Sequence, residues 1–154
     1  MNTRMSGIRS VAPDLLASAE LTVDSKGEGF TDITGEAARF LEECRAGEGA
    51  LLLYLRHTSA ALIIQENADP DVQTDLITAL RSIAPADGPW VHTVEGPDDM
   101  PGHIKSMLTG VCLHVPVHGG ALALGTWQGI YLVEHRTRSH RREVMLQFVG
   151  SRAA

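Results

Sequence analysis

Alternating hydrophobic and polar residues predict several β-strands in this chain. Val111, Leu113, Val115 and Val117 occupy every second position, the period of a strand with one face on a core. Two short apolar runs, 50–56 and 61–65, are typical of buried strands. Patterns of the same kinds predict further strands at 19–24, 121–125, 130–134 and 143–149.

Helical spacing predicts two or three helices. The first carries an apolar stripe, and Thr34 is its predicted N-cap; the stripe is Ile33, Ala37, Phe40, Leu41 and Cys44. Asp69 and Pro70 predict the start of a second helix over 70–84, with Asp69 as N-cap and proline at the first helical position. A short third helix is predicted around Met107, ending at Gly110.

The segments between these elements complete the predicted organisation. Residues 25–29 indicate a turn, and 85–101 is a loop rich in proline, glycine and aspartate. Residues 1–17 show no clear period and are predicted to be a tail or an edge arm. Strands that follow one another in the sequence favour an α+β fold, with a mostly antiparallel sheet or sandwich, over a doubly wound fold.

Composition narrows the class of protein. The 154 residues fit one domain, and 13 basic against 19 acidic residues give a net charge of −6, which disfavours nucleic acid as a partner. No apolar run is long enough to span a membrane, and the N-terminus lacks a secretory signal. Cys44 and Cys112 form no CxxC pair, so both are predicted to be buried thiols in a reducing cytoplasm.

Three segments crowd polar side chains onto strand ends and loops: 57–71, 95–106 and 125–136. We expect them to build one polar site from distant parts of the chain, because loops on a rigid scaffold carry function. His57, His103 and His135 each stand beside other polar residues, so they are candidate metal ligands, acid–base or substrate-binding groups, or structural hydrogen-bonders. His92 is a further candidate for the same site.

The charged residues of these segments also leave alternatives open. Glu66 precedes the predicted cap Asp69 and is a candidate site residue, and one of Asp98 and Asp99 is expected to face the site. Lys105 is placed to bind a phosphate or a carboxylate. The sequence contains no phosphate-binding loop, no dinucleotide fingerprint and no serine-hydrolase elbow.

Taken together, five motifs resemble the YjbQ family, over roughly residues 18–150: HTSAA (57–61), ENADPDV (66–72), EGPDDMPGHIKS (95–106), PVHGG (116–120) and GTWQGIYLVEHR (125–136). The resemblance implies a single α+β domain with a sandwich-like core, following a tail at 1–17, that assembles as a homotrimer. It also implies secondary thiamine-phosphate synthase activity, which joins a pyrimidine pyrophosphate to a thiazole phosphate.

The resemblance and the residue chemistry together assign roles to be tested. The predicted catalytic residues are Glu66, Asp99 and Lys105, and the predicted ligands of a divalent metal, Zn²⁺ or Mg²⁺, are His57, His103 and His135. Residues predicted to bind the phosphorylated substrate are Thr58, Ser59, Asn67, Ser106, Thr126, Gln128 and Arg136. The alternatives to a transferase are a trimeric protein that binds a metal or a phosphorylated metabolite without turnover, and a metal-assisted phosphoesterase.

Overall fold

A computed structural model describes residues 2–154 and contains eight strands and three helices in that range. The strands are β1 (Leu15–Asp24), β2 (Gly29–Asp32), β3 (Ala46–Leu55), β4 (Ala60–Glu66), β5 (Cys112–His118), β6 (Ala121–Leu122), β7 (Gln128–Glu134) and β8 (Arg141–Arg152). The helices are α1 (Thr34–Glu43), α2 (Pro70–Ile83) and α3 (Asp99–Thr109). None of the helices in residues 2–154 has the length and apolar character needed to cross a membrane.

Two antiparallel sheets enclose the core. The larger sheet has the order β1-β8-β3-β5-β6 and the smaller has the order β2-β7-β4. Leu53 and Phe148 of the larger sheet join Leu62 and Leu132 of the smaller one in a single buried cluster. The predicted α+β fold with a sandwich-like, mostly antiparallel core is therefore confirmed.

Several local predictions differ from the structure. β2 was predicted in part as a turn, because a four-residue strand is too short to show alternation. β1 begins at Leu15, inside the predicted tail. Thr34 is the first residue of α1 rather than its cap, and its amide donates to the carboxylate of Asp32 at 2.8 Å. Cys112 is exposed rather than buried, because it lies on the outward face of β5.

α3 begins earlier than predicted and carries residues expected in a loop. Asp99 opens the helix, and Pro101 is its third residue. Proline is tolerated there because the first amides of a helix have no partner within the helix. Gly102 lets α3 approach closely, since a Cβ at this position would lie 3.3 Å from side-chain atoms of both Ser59 and Arg136.

Asp69 caps α2 as predicted, and its carboxylate accepts a hydrogen bond from the amide of Asp71 at 2.9 Å. We expect Asp69→Ala to lower the free energy of unfolding by about 1 kcal/mol, because an N-terminal amide loses its acceptor. Urea unfolding followed by circular dichroism measures the change. Asp75→Ala, at an exposed position within α2, is the control and should change stability by less than about 0.5 kcal/mol. Equal losses in both variants would contradict the capping role.

Candidate functional site

All three polar segments contribute residues to one end of the smaller sheet. β4 and β7 are antiparallel, and Ala60 pairs with Glu134, so residues 57–59 lie beside residues 135–136. α3 packs over this end, with the hydroxyl of Ser106 donating to the carbonyl of Ala60 at 2.8 Å. This end of the sheet therefore holds the candidate site.

The other polar residues lie at the opposite end of β4. Glu66 pairs with Gln128, six residues along the strand from Ala60, a separation of about 20 Å at 3.3 Å per residue. Asn67 donates to the carbonyls of Thr126 and Gln128, each at 3.3 Å, and Glu66 accepts from the amide of Asp69. Within one chain, these predicted catalytic and substrate-binding residues contact one another in two adjoining turns and do not reach the end of the sheet that holds residues 57–59.

A compact group of possible metal ligands stands at the start of α3. His92 Nε2 lies 2.7 Å from Asp99 Oδ2, and His103 Nε2 lies 3.2 Å from the same oxygen. It is the one group of three such side chains, within residues 2–154, whose ligand atoms all lie within 4.8 Å of one another. Ligand atoms at 2.0–2.1 Å around a tetrahedral zinc ion are about 3.3 Å apart, a spacing close to these distances.

The hydrogen bonds of His103 place a proton on its Nδ1. Its Nδ1 lies 2.8 Å from the carbonyl oxygen of Thr58, which can only accept, so Nδ1 carries a proton. In the neutral ring Nε2 then has a lone pair directed at the carboxylate of Asp99. Two acceptors this close require a positive charge between them, either a second proton on the ring or a metal ion. A protein carbonyl behind a metal-bound histidine is a common arrangement.

Arg136 holds this group in place and was predicted to bind substrate instead. Its guanidinium group donates to Asp99 Oδ1, to the carboxylate of Asp98 and to the carbonyl of Glu95. The contact to Oδ1 leaves the other oxygen of Asp99 facing the two histidines. Burial alone would raise the pKa of Asp99, but hydrogen bonding by His92 and the charge of Arg136 hold that pKa below its ordinary value. The carboxylate is therefore ionised and oriented.

The predicted metal ligands His57, His103 and His135 do not form a group of ligand atoms within 4.8 Å of one another in the described residues 2–154. The backbone amide of Glu143 donates to His57 Nε2 at 3.0 Å, so the proton of the neutral ring sits on Nδ1 and neither nitrogen is free for a metal. Burial lowers the pKa of His57 and favours this neutral form. His135 is buried beside Thr109, and burial lowers its pKa to about 4.

The sequence predicts His92 only as a further candidate for the site, and it predicts that Asp99 lies in a loop. The signal was the spacing of Asp99 and His103, four residues apart, which places both on one face of a helix. That spacing carries information only if the helix begins before Pro101. Because proline and glycine were interpreted as loop residues, the pair was not recognised.

A pocket of about 760 Å³ opens beside the metal-ligand group, with His103 in its wall. Polar groups and apolar residues both line it: Tyr54, Leu55, Arg56, His57, Thr58, His103, Ser106, Met107, Gly110 and Val111. Predicted residues Thr58 and Ser106 therefore lie at this pocket. Lys105 does not line it, since its ammonium group forms an ion pair with Glu28 on another face of α3.

A buried ion pair lies beneath the site and is hydrogen-bonded to Ser59 and Arg136. Arg142 and Glu134 are 4% and 1% exposed, and Arg142 Nη2 lies 2.6 Å from Glu134 Oε1. Glu134 also accepts from the hydroxyl of Ser25 and the amide of Arg136, while Arg142 donates to the hydroxyl of Ser59. Ser59, a predicted substrate-binding residue, is therefore a buried member of this network.

Comparison with known proteins finds one family. The family model described as "UPF0047 protein YjbQ-like" matches residues 19–151. A UPF0047 protein of Synechocystis is 44% identical over 84% of this chain and 89% of its own length, and the UPF0047 protein YjbQ of Escherichia coli O157:H7 is 42% identical over 84% and 95%.

Solved structures agree with the fold. An uncharacterised YjbQ/UPF0047 protein of Clostridium acetobutylicum superposes with a TM-score of 0.79 at 34% identity, covering 84% of this chain and 98% of that one. A protein of unknown function from Sulfolobus solfataricus has a TM-score of 0.82 at 23% identity, covering 88% and 98%, a likeness of fold alone.

Proposed function

The chain belongs to the UPF0047 YjbQ-like family, and we propose that it is a zinc-dependent enzyme acting on a small phosphorylated metabolite in the pocket beside His103. The observation that carries this proposal is the group of His92, Asp99 and His103, in which Nε2 of both rings faces the same carboxylate oxygen. Asp99 is ionised and is held by Arg136, so this group is arranged to bind a cation.

The donor set selects among metals. Two imidazole nitrogens and one carboxylate oxygen match catalytic zinc sites, in which three protein ligands leave one position open for substrate or water. Magnesium is held mainly by oxygen ligands and waters, so it fits these residues less well. His92, Asp99 and His103 would hold the ion, and the carbonyl of Thr58 would keep the ring of His103 in the tautomer that exposes Nε2.

The pocket residues define what the chain itself contributes. When bound, the ion would neutralise charge on a phosphate oxygen of the substrate. Arg56 lines the same pocket and provides a cation, although its guanidinium group also forms ion pairs with Glu20 and Glu143. His57 is a hydrogen-bond donor rather than a base, since its Nε2 accepts the amide of Glu143.

The named reaction is the formation of thiamine phosphate, as the family resemblance implies. That reaction expels pyrophosphate from a pyrimidine-methyl carbon, so it needs charge neutralisation at the leaving group. A metal-assisted phosphoesterase is the second candidate, because an open metal position can also hold a water for hydrolysis. Neither candidate needs the distant residues Glu66 and Gln128 of the same chain.

We also propose a homotrimer, in which the outward face of the larger sheet packs against a second copy. Leu16, Tyr54 and Val149 are exposed by 66%, 46% and 47% on three neighbouring strands of that sheet. Tyr54 also lines the pocket, so this contact would place the pocket at a subunit boundary. Light scattering should give the mass of three chains; a mass of one chain would contradict the trimer.

The test is turnover by the purified protein after metal removal by a chelator. Thiamine phosphate is measured with the pyrimidine pyrophosphate and the thiazole phosphate as substrates, and release of phosphate is measured with p-nitrophenyl phosphate. Product that appears with added Zn²⁺ and not with Mg²⁺ supports the proposal, and the substrate that turns over identifies the reaction. Tight zinc binding without product in either assay would instead indicate a binding protein, and no zinc binding would refute the metal site.

A further inference from the structure

A second cavity, of about 460 Å³, lies on the next face of α3. Asp98, Pro101 and Lys105 recur at three- and four-residue intervals, so one face of α3 lines this cavity. The metal-ligand group occupies the adjacent face through Asp99 and His103. The two sites therefore lie on neighbouring faces of one helix, and none of His92, Asp99 and His103 lines the second cavity.

Lys105 presents to this cavity an ammonium group whose N–H donors are not all hydrogen-bonded. The residue is 4% exposed, and its Nζ donates to Glu28 Oε1 at 2.7 Å. An ammonium group has three N–H donors, and within residues 2–154 Glu28 is its one acceptor. Arg81 also donates from Nε to Glu28 Oε2 at 2.7 Å, so two cations share one carboxylate at the cavity wall.

His135 presents the opposite kind of group, an acceptor, to the same cavity. Its Nε2 lies 3.3 Å from the hydroxyl oxygen of Thr109, whose own proton is donated to the carbonyl of Lys105 at 2.7 Å. Nε2 must therefore be the donor, and the neutral ring keeps a lone pair on Nδ1. Within residues 2–154, Nδ1 accepts no hydrogen bond. The side chain therefore has an unpaired acceptor even though His135 is only 2% exposed. Burial and the charge of Lys105 lower the pKa of His135 to about 4, which keeps the ring neutral.

Two carboxylates face the cavity, and both are already paired. Glu28 lies between Lys105 and Arg81. Asp98 accepts from Arg136 at 3.2 Å and from the amide and the hydroxyl of Thr137 at 2.8 and 2.9 Å. The groups left for a ligand are thus the spare N–H donors of Lys105, the guanidinium group of Arg81 and the lone pair of His135.

We propose that this cavity binds a hydrogen phosphate group, with its oxygens on Lys105 and Arg81 and its P–OH donated to Nδ1 of His135. An anion with its own proton satisfies a cation and a lone pair at once, whereas a fully deprotonated anion would place an acceptor against the lone pair. The volume leaves room for the remainder of a phosphorylated metabolite beside Ala84, Pro85 and Pro101. This proposal goes beyond the zinc site and does not require it.

Phosphate and sulfate form the decisive pair of probes, because they are similar in size and charge near neutral pH but only phosphate carries a proton. Calorimetry in the presence of a metal chelator should show phosphate binding at least about tenfold tighter than sulfate, the effect of one buried unpaired acceptor. The ¹⁵N shift of His135 Nδ1 should change with phosphate and not with sulfate. Equal affinities for the two anions, or an unchanged Nδ1 shift, would overturn the proposal.

Variants place the site in the structure. Arg81→Ala removes a largely exposed side chain and should weaken phosphate binding without unfolding the protein, while Lys105→Met should weaken it by about tenfold to a hundredfold. His103→Ala, which removes a proposed metal ligand, should bind phosphate as the unmodified protein does. Arg39→Ala, on the exposed side of α1, is the charge-matched control for Arg81 and should have no effect. Unchanged affinity in Arg81→Ala and Lys105→Met, or loss of binding in His103→Ala, would show that phosphate binds elsewhere.

Methyl phosphate separates free phosphate from an ester. The second pKa of a phosphate ester is about 6, so below that pH the ester also carries a P–OH. If methyl phosphate then binds as tightly as inorganic phosphate, the ligand is a phosphorylated metabolite. If it binds at least about tenfold more weakly, because the methyl group is excluded, the ligand is free phosphate. Either outcome upholds the hydrogen phosphate site, whereas failure of both ions to bind refutes it.

Discussion

His103→Ala should lower the affinity of the protein for Zn²⁺ by more than about a hundredfold and abolish zinc-dependent turnover. Loss of an outer hydrogen-bonding partner of a metal ligand already costs 10- to 100-fold, and here a ligand itself is removed. The fold should be preserved, because the side chain of His103 is 34% exposed and its contacts are one carbonyl and one carboxylate. Zinc affinity is measured by competition with a chromophoric chelator.

His118→Ala is the matched control. It also removes a histidine that is hydrogen-bonded to a carboxylate, that of Glu48, but at an exposed place outside the metal-ligand group. It should change neither zinc affinity nor turnover. If both histidine variants bound zinc equally well, the group at the start of α3 would not be a metal site, whatever reaction the protein catalyses.

The architecture was predictable because its signals are local. Alternation over 111–117 gave β5, and the Asp69-Pro70 pair gave the start of α2. β2 could not be found in this way, since its four residues form a strand only through pairing with β7. Cys112 was predicted to be buried from its residue type, although the alternation of Leu113, Val115 and Val117 already places it on the opposite, outward face of the strand.

The candidate site was less predictable because it depends on the direction in which β4 runs and on the protonation of its histidines. The polar segments at the two ends of β4 are close in the sequence, but a strand carries its ends apart, so residues 57–59 and 66–67 separate. The roles of the histidines depend on single hydrogen bonds. A backbone amide donates to Nε2 of His57, whereas Nδ1 of His103 donates to a carbonyl and its Nε2 faces Asp99, and neither arrangement has a sequence signature.

Arg142→Met should lower the free energy of unfolding by about 3–5 kcal/mol. Methionine replaces the stem of the arginine, but the carboxylate of Glu134 would then be buried with only the hydroxyl of Ser25 and one backbone amide as donors. A buried charge without its partner is far more costly than the pair itself is stabilising. Urea unfolding at a fixed protein concentration measures the loss.

Two further variants separate this effect from the loss of a surface charge. Arg39→Met disrupts the exposed pair with Glu43 and should change stability by less than about 1 kcal/mol. The double variant Glu134→Gln with Arg142→Met should recover part of the loss, since a neutral amide is less costly to bury than a charge. Losses of the same size in Arg39→Met and Arg142→Met would show that burial of the pair does not matter.

The cost of Arg142→Met should also shrink in acid. Burial alone would raise the pKa of Glu134, but hydrogen bonds from Arg142, from the amide of Arg136 and from Ser25 hold it below the ordinary value of 4.5. In the unmodified protein the ionised Glu134 therefore stabilises the folded state above pH 4.5, and this contribution is lost as the pH falls through the lowered folded pKa. In the variant Arg142 no longer lowers the pKa of Glu134, so burial raises that pKa. As the pH falls, Glu134 then takes up a proton and its buried charge is removed. The difference in unfolding free energy between the two proteins should therefore be smaller at about pH 4 than at neutral pH, and a difference that does not change with pH would refute an ionised Glu134 as its cause.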